Sequence, residues 1–438
     1  MPSCRVLIFS AAALASSVAC NERSAASSSD TETNQPAASA RASAAPKPPS
    51  CRAALAGAAF TIGDNPRAPE TDDGEEPPPL PFATELGSAA AHAGGYAIGA
   101  LKRFPDGQHA VVALIDADAK SGVTADLGRT YGDAEPPRVA ASEAAILALV
   151  PDTDAAGGTL RVARIEPNGS ASWGAEILQG RAAGHAIAVA DKTGVVLYAA
   201  LDPHTEKHVL YTQRVETNRL DAKHEPLKIW SSTVAAESPR LTARPGGYWA
   251  AWVRRGEEEP AGAERRPLVM GGGGELLIAP LSADGSAAGK PTVLPGRQVL
   301  AFDLLTASDG AALLAYREGD AVPGADLATL TLTRVAPDGA VEHHKIEDDS
   351  FGVGIPVLLG GRADPVSVAI PVAAPRDGAR LIPLDARGAP ASKVEVAPLL
   401  ERTDPLLQRG GRLLSATARG QAVELSVLTC APPQPGKK

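Results

Sequence analysis

Aromatic side chains are scarce, at 4% of 438 residues, which argues against deep clefts walled by stacked rings. Positive charge is not in excess either. Lys and Arg number 42 against 51 Asp and Glu, a net charge of −9, and that balance argues against a nucleic-acid binder. No segment reaches the length of about 18 apolar residues that a membrane-spanning helix needs, and strong helical periodicity is rare. Nucleophile motifs are missing: there is no Gly-x-Ser-x-Gly, and none of the four cysteines has a catalytic setting. What the chain does have is a 44% hydrophobic content, enough for a sizeable core, broken by 43 Gly and 38 Pro. Both exceed average usage, so the chain turns often.

Residues 1–19 read as a secretory signal. Arg5 supplies the single n-region charge, and Val6 to Ala15 form an apolar core too short to cross a bilayer. The segment ends in Ser17-Val18-Ala19-Cys20. This resembles the bacterial lipoprotein box, although Ser17 stands where Leu is usual. The resemblance implies lipidation of Cys20, which would become the new N-terminus, and Asn21 after it implies sorting to the outer membrane. Plain cleavage after Ala19 is the alternative, since small residues at Ser17 and Ala19 also satisfy that rule. Residues 21–50 are Ser, Ala, Pro and Thr with almost no apolar bulk. They cannot bury enough surface to offset ordering entropy and read as a disordered tether.

Beyond residue 50, short alternating apolar runs are separated by Gly, Pro, Asp and Asn turns, the pattern of an all-β chain. A faint repeat runs through it. Glu135-Pro-Pro-Arg-Val-Ala-Ala141 parallels Glu237-Ser-Pro-Arg-Leu-Thr-Ala243, and Gly94-Gly-Tyr-Ala-Ile-Gly-Ala100 parallels Gly246-Gly-Tyr-Trp-Ala-Ala-Trp252. The triplets Pro167-Asn-Gly169, Ala283-Asp-Gly285, Pro337-Asp-Gly339 and Ala386-Arg-Gly388 each follow an alternating run and supply hairpin turns. With four strands to a unit, first strands are expected near residues 83, 137, 184, 239, 299, 354 and 404, a period of about 53. Seven such units resemble a seven-bladed β-propeller, over residues 51–430 and followed by a disordered tail, 431–438. Trp249 and Trp252, beside Tyr248, are expected in the core between blades.

The propeller resemblance carries a closure argument. The last unit shows only three strands, near 404–409, 412–417 and 422–430, so its outer strand is expected from the N-terminal end, near 51–62. That pairing puts Cys51 beside Cys430 and implies a disulfide in an oxidising compartment. Loop-closure reasoning assigns about 5 kcal/mol to so long a loop, before strain reduces it. Two free thiols or a metal pair are the alternatives.

Chemistry-bearing residues are dispersed. Acids gather in loops at Asp116 and Asp118, Asp152 and Asp154, Asp202 and Glu206, Glu257 to Glu259, and Asp320. These acids read either as a calcium-binding rim or as solvated turn residues. The second reading is favoured, because Lys120 stands where a third acid should be and no closing Glu follows. Eight His show no zinc spacing. His204 and His208 flank a turn, and His343-His344 sit in an outer strand, where adjacent side chains point apart. Gly271 to Gly274 precedes a strand rather than a helix, so it is no phosphate loop. It ends the long excursion 254–274, which carries Glu257–Glu259 and Arg265-Arg266 and reads as an exposed insert. Arg138 and Arg240 hold matching inner-strand positions and are candidates for the mouth of the channel, with blade packing as the simpler role.

The expectation from sequence is therefore an all-β cell-envelope lipoprotein whose propeller binds a partner without catalysis. The membrane is met through a lipid anchor only, and the partner is an envelope protein or glycan, not nucleic acid. No catalytic residue, metal site or cofactor is assigned. An envelope hydrolase or lyase with its site at the channel mouth is the alternative, and a structural or sensory module the third.

Overall fold

A computed structural model describes residues 51–55, 60–61, 84–104, 106–131, 134–152, 158–179, 182–222, 224–255, 274–296, 299–318, 329–346, 355–360, 366–372, 378–391, 395–397, 406–409, 412–419 and 422–430. The chain divides into two units, Met1–Ala45 and Pro46–Lys438. The first lies outside the described residues, and so do the expected signal, Cys20, the tether, residues 256–273 of the insert and the tail.

Local chemistry sets the hairpins. At Asn168-Gly169, the Glu166 carbonyl accepts the Gly169 N–H at 2.9 Å and Asn168 Oδ1 accepts the Ser170 N–H at 3.0 Å. Gly169, Gly285, Gly339 and Gly388 take φ of 84°, 89°, 91° and 76°, the left-handed region that glycine enters without a Cβ penalty. All four expected turn triplets are thus tight hairpin turns, and the alternating runs before them are strands.

Among the described residues every element is a strand, and all pairings are antiparallel. In chain order the first sheet holds β3 (Thr84–His92), β4 (Gly95–Phe104), β5 (Gly107–Asp116) and β6 (Gly122–Thr130). The next holds β7 (Arg138–Ala141), β8 (Ile146–Asp152), β9 (Thr159–Ile165) and β10 (Ala171–Gln179). A third holds β11 (Gly184–Ala190), β12 (Thr193–Leu201), β13 (His208–Glu216) and β14 (Leu227–Ser232). An eight-stranded sheet follows. It consists of β15 (Ala236–Arg244), β16 (Gly247–Arg255), β17 (Gly274–Ser282) and the short β18 (Thr292–Val293), then β19 (Val299–Thr306), β20 (Ala312–Glu318), β21 (Thr329–Val335) and β22 (Val341–Ile346). One residue pair, Gly274 opposite Val299, joins its two halves. Then come β23 (Val357–Leu359), β24 (Ser367–Val372), β25 (Gly378–Pro383) and β26 (Glu395–Ala397). The last sheet pairs β27 (Leu406–Arg409), β28 (Arg412–Arg419) and β29 (Ala422–Cys430) with two strands from the start of the unit, β1 (Cys51–Leu55) and β2 (Phe60–Thr61). In the β1–β29 register Cys51 stands opposite Cys430.

From the first sheet through β19–β21, the sheets bury both faces. On β16, Tyr248, Ala250 and Trp252 pack with Val195 and Leu197 of β12, while Trp249, Ala251 and Val253 pack with Phe302 of β19 and Leu314 of β20. The two tryptophans therefore point into opposite interfaces. Hydrogen bonds cross the same seams: Trp249 Nε1 donates to the Gly310 carbonyl at 2.9 Å, and Tyr248 Oη to the Thr193 carbonyl at 3.0 Å. The sheet with the C-terminal strands packs on the first one, where Leu414, Ala416, Val423 and Leu425 meet Tyr96, Ile98 and Val111. Arg412 also pairs with Asp118 across that seam at 2.8 Å.

Trp249→Ala should cost about 3–5 kcal/mol through lost burial and the cavity left behind. Trp249→Phe should cost less, mainly the bond to Gly310, worth about 1 kcal/mol. Urea unfolding of both variants checks the order; equal stability of Trp249→Ala and the parent would contradict this packing.

Candidate functional site in the inner strands

The first strand of each sheet carries the polar residues of interest. The two Glu-x-Pro-Arg boxes enter β7 and β15, and their prolines press on the preceding sheet. A Cβ on Gly99 would lie 2.1 Å from the Pro137 carbonyl oxygen, and one on Gly184 would lie 2.6 Å from Pro239 Cδ. Glycine is needed there so that inner strands can approach closely. The acids of the two boxes behave differently. Glu135 stays 3.8 Å from Arg138. Glu237 instead pairs with Arg255 at 2.9 Å, because the register shifts between Glu237 and Arg240 and Ser238 adopts φ 49°. Arg240 is thus left without the acid of its own box, and its guanidinium lies 5.8 Å from the Phe302 ring centre.

Two further residues join the arginines. His185 on β11 is 5% exposed. Side chains alternate along a strand, so His185 shares the face of Ile187 and Val189, and Arg138 shares that of Ala140; those three apolar residues form one cluster between the second and third sheets. Arg138 and His185 therefore face the same seam. Burial first, then the charges of Arg138 and Arg240, push the imidazole down to about 3, so it is neutral at pH 7. Its Nε2 and the Arg138 Nε are buried with no hydrogen-bond partner. Arg138 itself is lowered by burial and then by repulsion from Arg240. Asp303 on β19 accepts the Leu358 N–H at 2.8 Å. Burial raises its carboxyl, against the opposing pull of Arg240. Glu85 on β3 is also raised, by burial and then by Glu135.

Sequence reasoning found Arg138 and Arg240, and the structure brings them within electrostatic reach of each other. It did not find His185 or Asp303. Their signal was a polar residue inside an otherwise apolar first strand, at Gly184-His185 and Phe302-Asp303. The acidic loops do other work. Asp116 accepts backbone N–H groups from Asp118, Lys120 and Ser121 within its own turn, and Asp202 does the same for His204. His343 is exposed and His344 half-buried, on opposite faces of β22. Among the described residues no three or more His, Cys, Asp or Glu are placed to hold a metal ion. Asp154, Glu257–Glu259, Arg265, Arg266, Asp320 and Gly271 to Gly273 lie outside the described residues.

No protein-family model and no curated protein matches the chain. Solved structures do. Hydrazine synthase of Kuenenia stuttgartiensis is 13% identical, covering 79% of this chain and 97% of that one, with a TM-score of 0.50. The fold is that of a β-propeller. An α-L-arabinanase of Penicillium chrysogenum is 11% identical over 66% of this chain and 92% of that one, with a TM-score of 0.42. The β-propeller domain of the trilobed protease from Pyrococcus furiosus is 11% identical over 79% and 82%, with a TM-score of 0.34. At such identities the likeness shows the fold alone.

The propeller's buried imidazole makes stability depend on pH. Below pH 6.5 the unfolded chain takes up a proton at His185 that the folded chain refuses. Its contribution is complete above pH 6.5 and is lost as pH falls towards 3, by up to about 1.4 kcal/mol per unit. Urea midpoints measured from pH ~7.5 down to pH ~4.5 should fall less steeply in His185→Gln than in the parent; parallel curves would place the acid sensitivity elsewhere.

Proposed function

We propose that this chain is an envelope-anchored, seven-bladed propeller that captures an anionic group of its ligand in the channel, between Arg138 and Arg240. Each blade has four strands, and β1 completes the last. Support for the ring comes from the β1–β29 pairing, the packing of the last sheet on the first, and the Arg412–Asp118 pair. Support for the envelope comes from the signal, the Cys20 box and the tether in the sequence.

The observation that carries the binding reading is the held repulsion of two guanidiniums beside a neutral imidazole with an unpartnered nitrogen. Like charges brought together away from water are costly unless a counter-charge joins them. Glu135 is 60% exposed and pairs with Arg138 at 3.8 Å, while Asp303, on which Arg240 acts, is raised by burial towards its neutral form. A carboxylate or phosphate would meet both planar forks with charge-assisted hydrogen bonds. No catalysis is required for that role. A hydrolase or lyase is the second reading, favoured by Asp303, whose raised carboxyl could hold a proton for a leaving group.

Calorimetry with succinate and with inorganic phosphate should give saturable binding of at least one of them, weakened about tenfold or more by Arg240→Gln or Arg138→Gln. Absence of binding, with no rise in melting temperature at high ligand, would overturn the reading. Hydrolytic turnover lost in Asp303→Asn would put the enzyme reading first.

The closure reading extends to Cys51 and Cys430, joined as a disulfide when two thiols give up two protons and two electrons to the oxidants of the envelope. Thiol labelling of the denatured, unreduced protein should modify neither residue. Labelling of both would leave β1 held by strand pairing alone.

A further inference from the structure

A second cation pair lies far out on the blades. β6 and β10 are the outer strands of the first two sheets. Between them a cavity of about 130 Å³ is lined by Leu127, Arg129, Thr130, Val150, Arg161 and Trp173. Leu127 and Val150 are buried and form its apolar floor. The Arg161 guanidinium lies 4.4 Å from the Trp173 ring centre, and that of Arg129 lies 5.2 Å from the centre of Tyr131. Trp173 is 37% exposed. Among the described residues neither arginine is in an ion pair, although Glu176 stands across from Arg161 in register. The charge that Arg129 acts on is Asp106, whose carboxylate is held low chiefly by its hydrogen bond to His109.

We propose that this cleft binds a carboxylate-bearing sugar unit of an acidic polysaccharide. The inference stands apart from the channel and does not depend on it. Two guanidinium forks free of protein carboxylates fit a planar anion. The indole and the Leu127–Val150 floor fit a flat body with an apolar face, as the C–H face of a pyranose provides. The cavity is smaller than the roughly 300–1,000 Å³ of whole small-molecule sites, so it takes one unit and leaves the rest of a chain to run along the rim. An acidic peptide is the competing ligand, and the strands disfavour it. The β9–β10 register shifts between Trp173 and Glu176, and the β5–β6 register shifts between His109 and Val111. Bulged outer strands do not offer the regular row of N–H and C=O groups that strand addition uses. In a chain of net charge −9, such a local pair of cations is a specific feature and not part of a general basic surface.

Calorimetry of the full chain with trigalacturonate, with maltotriose and a glutamate oligomer as comparisons, tests the proposal. Trigalacturonate should bind saturably. Arg161→Gln and Trp173→Ala should each weaken it about tenfold or more, and Arg129→Gln should weaken it too, with melting temperatures unchanged because these side chains sit at the surface. Maltotriose and the glutamate oligomer should bind at least about tenfold more weakly. Failure of trigalacturonate to bind, equal binding in Arg161→Gln and Trp173→Ala, or equal affinity for the glutamate oligomer would each overturn it.

Discussion

From the first sheet through β19–β21, each sheet has two apolar faces, and no sheet can cover both by itself. That constraint organises the rest. A strand such as β16 alternates Tyr248, Ala250 and Trp252 on one face with Trp249, Ala251 and Val253 on the other, so it reads as one continuous apolar run, as strands buried on both sides do. Each of these sheets is therefore completed by packing against its neighbours. The same need draws the first and last sheets together, and Leu414 and Leu425 meet Ile98 for the same reason that Leu314 meets Trp249. The hydrogen bonds across seams carry the period of the repeat. Val139 to Ser88, Arg164 to Thr217 and Tyr248 to Thr193 each join residues one unit apart in sequence.

Radial packing also explains where chemistry can sit. First strands converge, Pro239 of β15 pressing on Gly184 of β11 and Pro137 before β7 on Gly99 of β4, and polar side chains placed there meet partners from several sheets. Arg138, His185, Arg240 and Asp303 come from four successive inner strands, β7, β11, β15 and β19. Convergence perturbs the protonation of Arg138, His185 and Asp303: burial comes first in each shift, and a neighbouring guanidinium second or third. Perturbed groups gathered in one place are a feature of sites built for a ligand, and a sheet edge facing open water could not produce them.

The strands were legible because turn chemistry and alternation are local. First strands expected near 83, 137, 184, 299 and 404 begin at 84, 138, 184, 299 and 406. The fourth was expected at 239 and begins at 236, since the bulge at Ser238 lets β15 keep pairing with β16 past Pro239. The candidate site was half legible. Arg138 and Arg240 showed because a repeated box carries them. His185 and Asp303 did not, because no box repeats around them and only the packing of successive first strands relates them. The diverging fates of Glu135 and Glu237 were hidden for a related reason: one bulged residue decides which arginine each acid can reach.

The two arginine pairs occupy opposite electrostatic regimes. The inner-strand pair is half-buried beside the buried His185 and Asp303, where screening by salt is weaker than at the surface. The rim pair is solvated on one side and stacked on rings, where each cation gains only about 0.5–1 kcal/mol from its aromatic neighbour and salt screens the rest. A ligand there must add apolar contact to charge, since charge alone gives little in water. The contrast follows from radius. Strands that crowd at the axis exclude water and make charge decisive, while strands that splay at the rim admit water and make shape and stacking decisive.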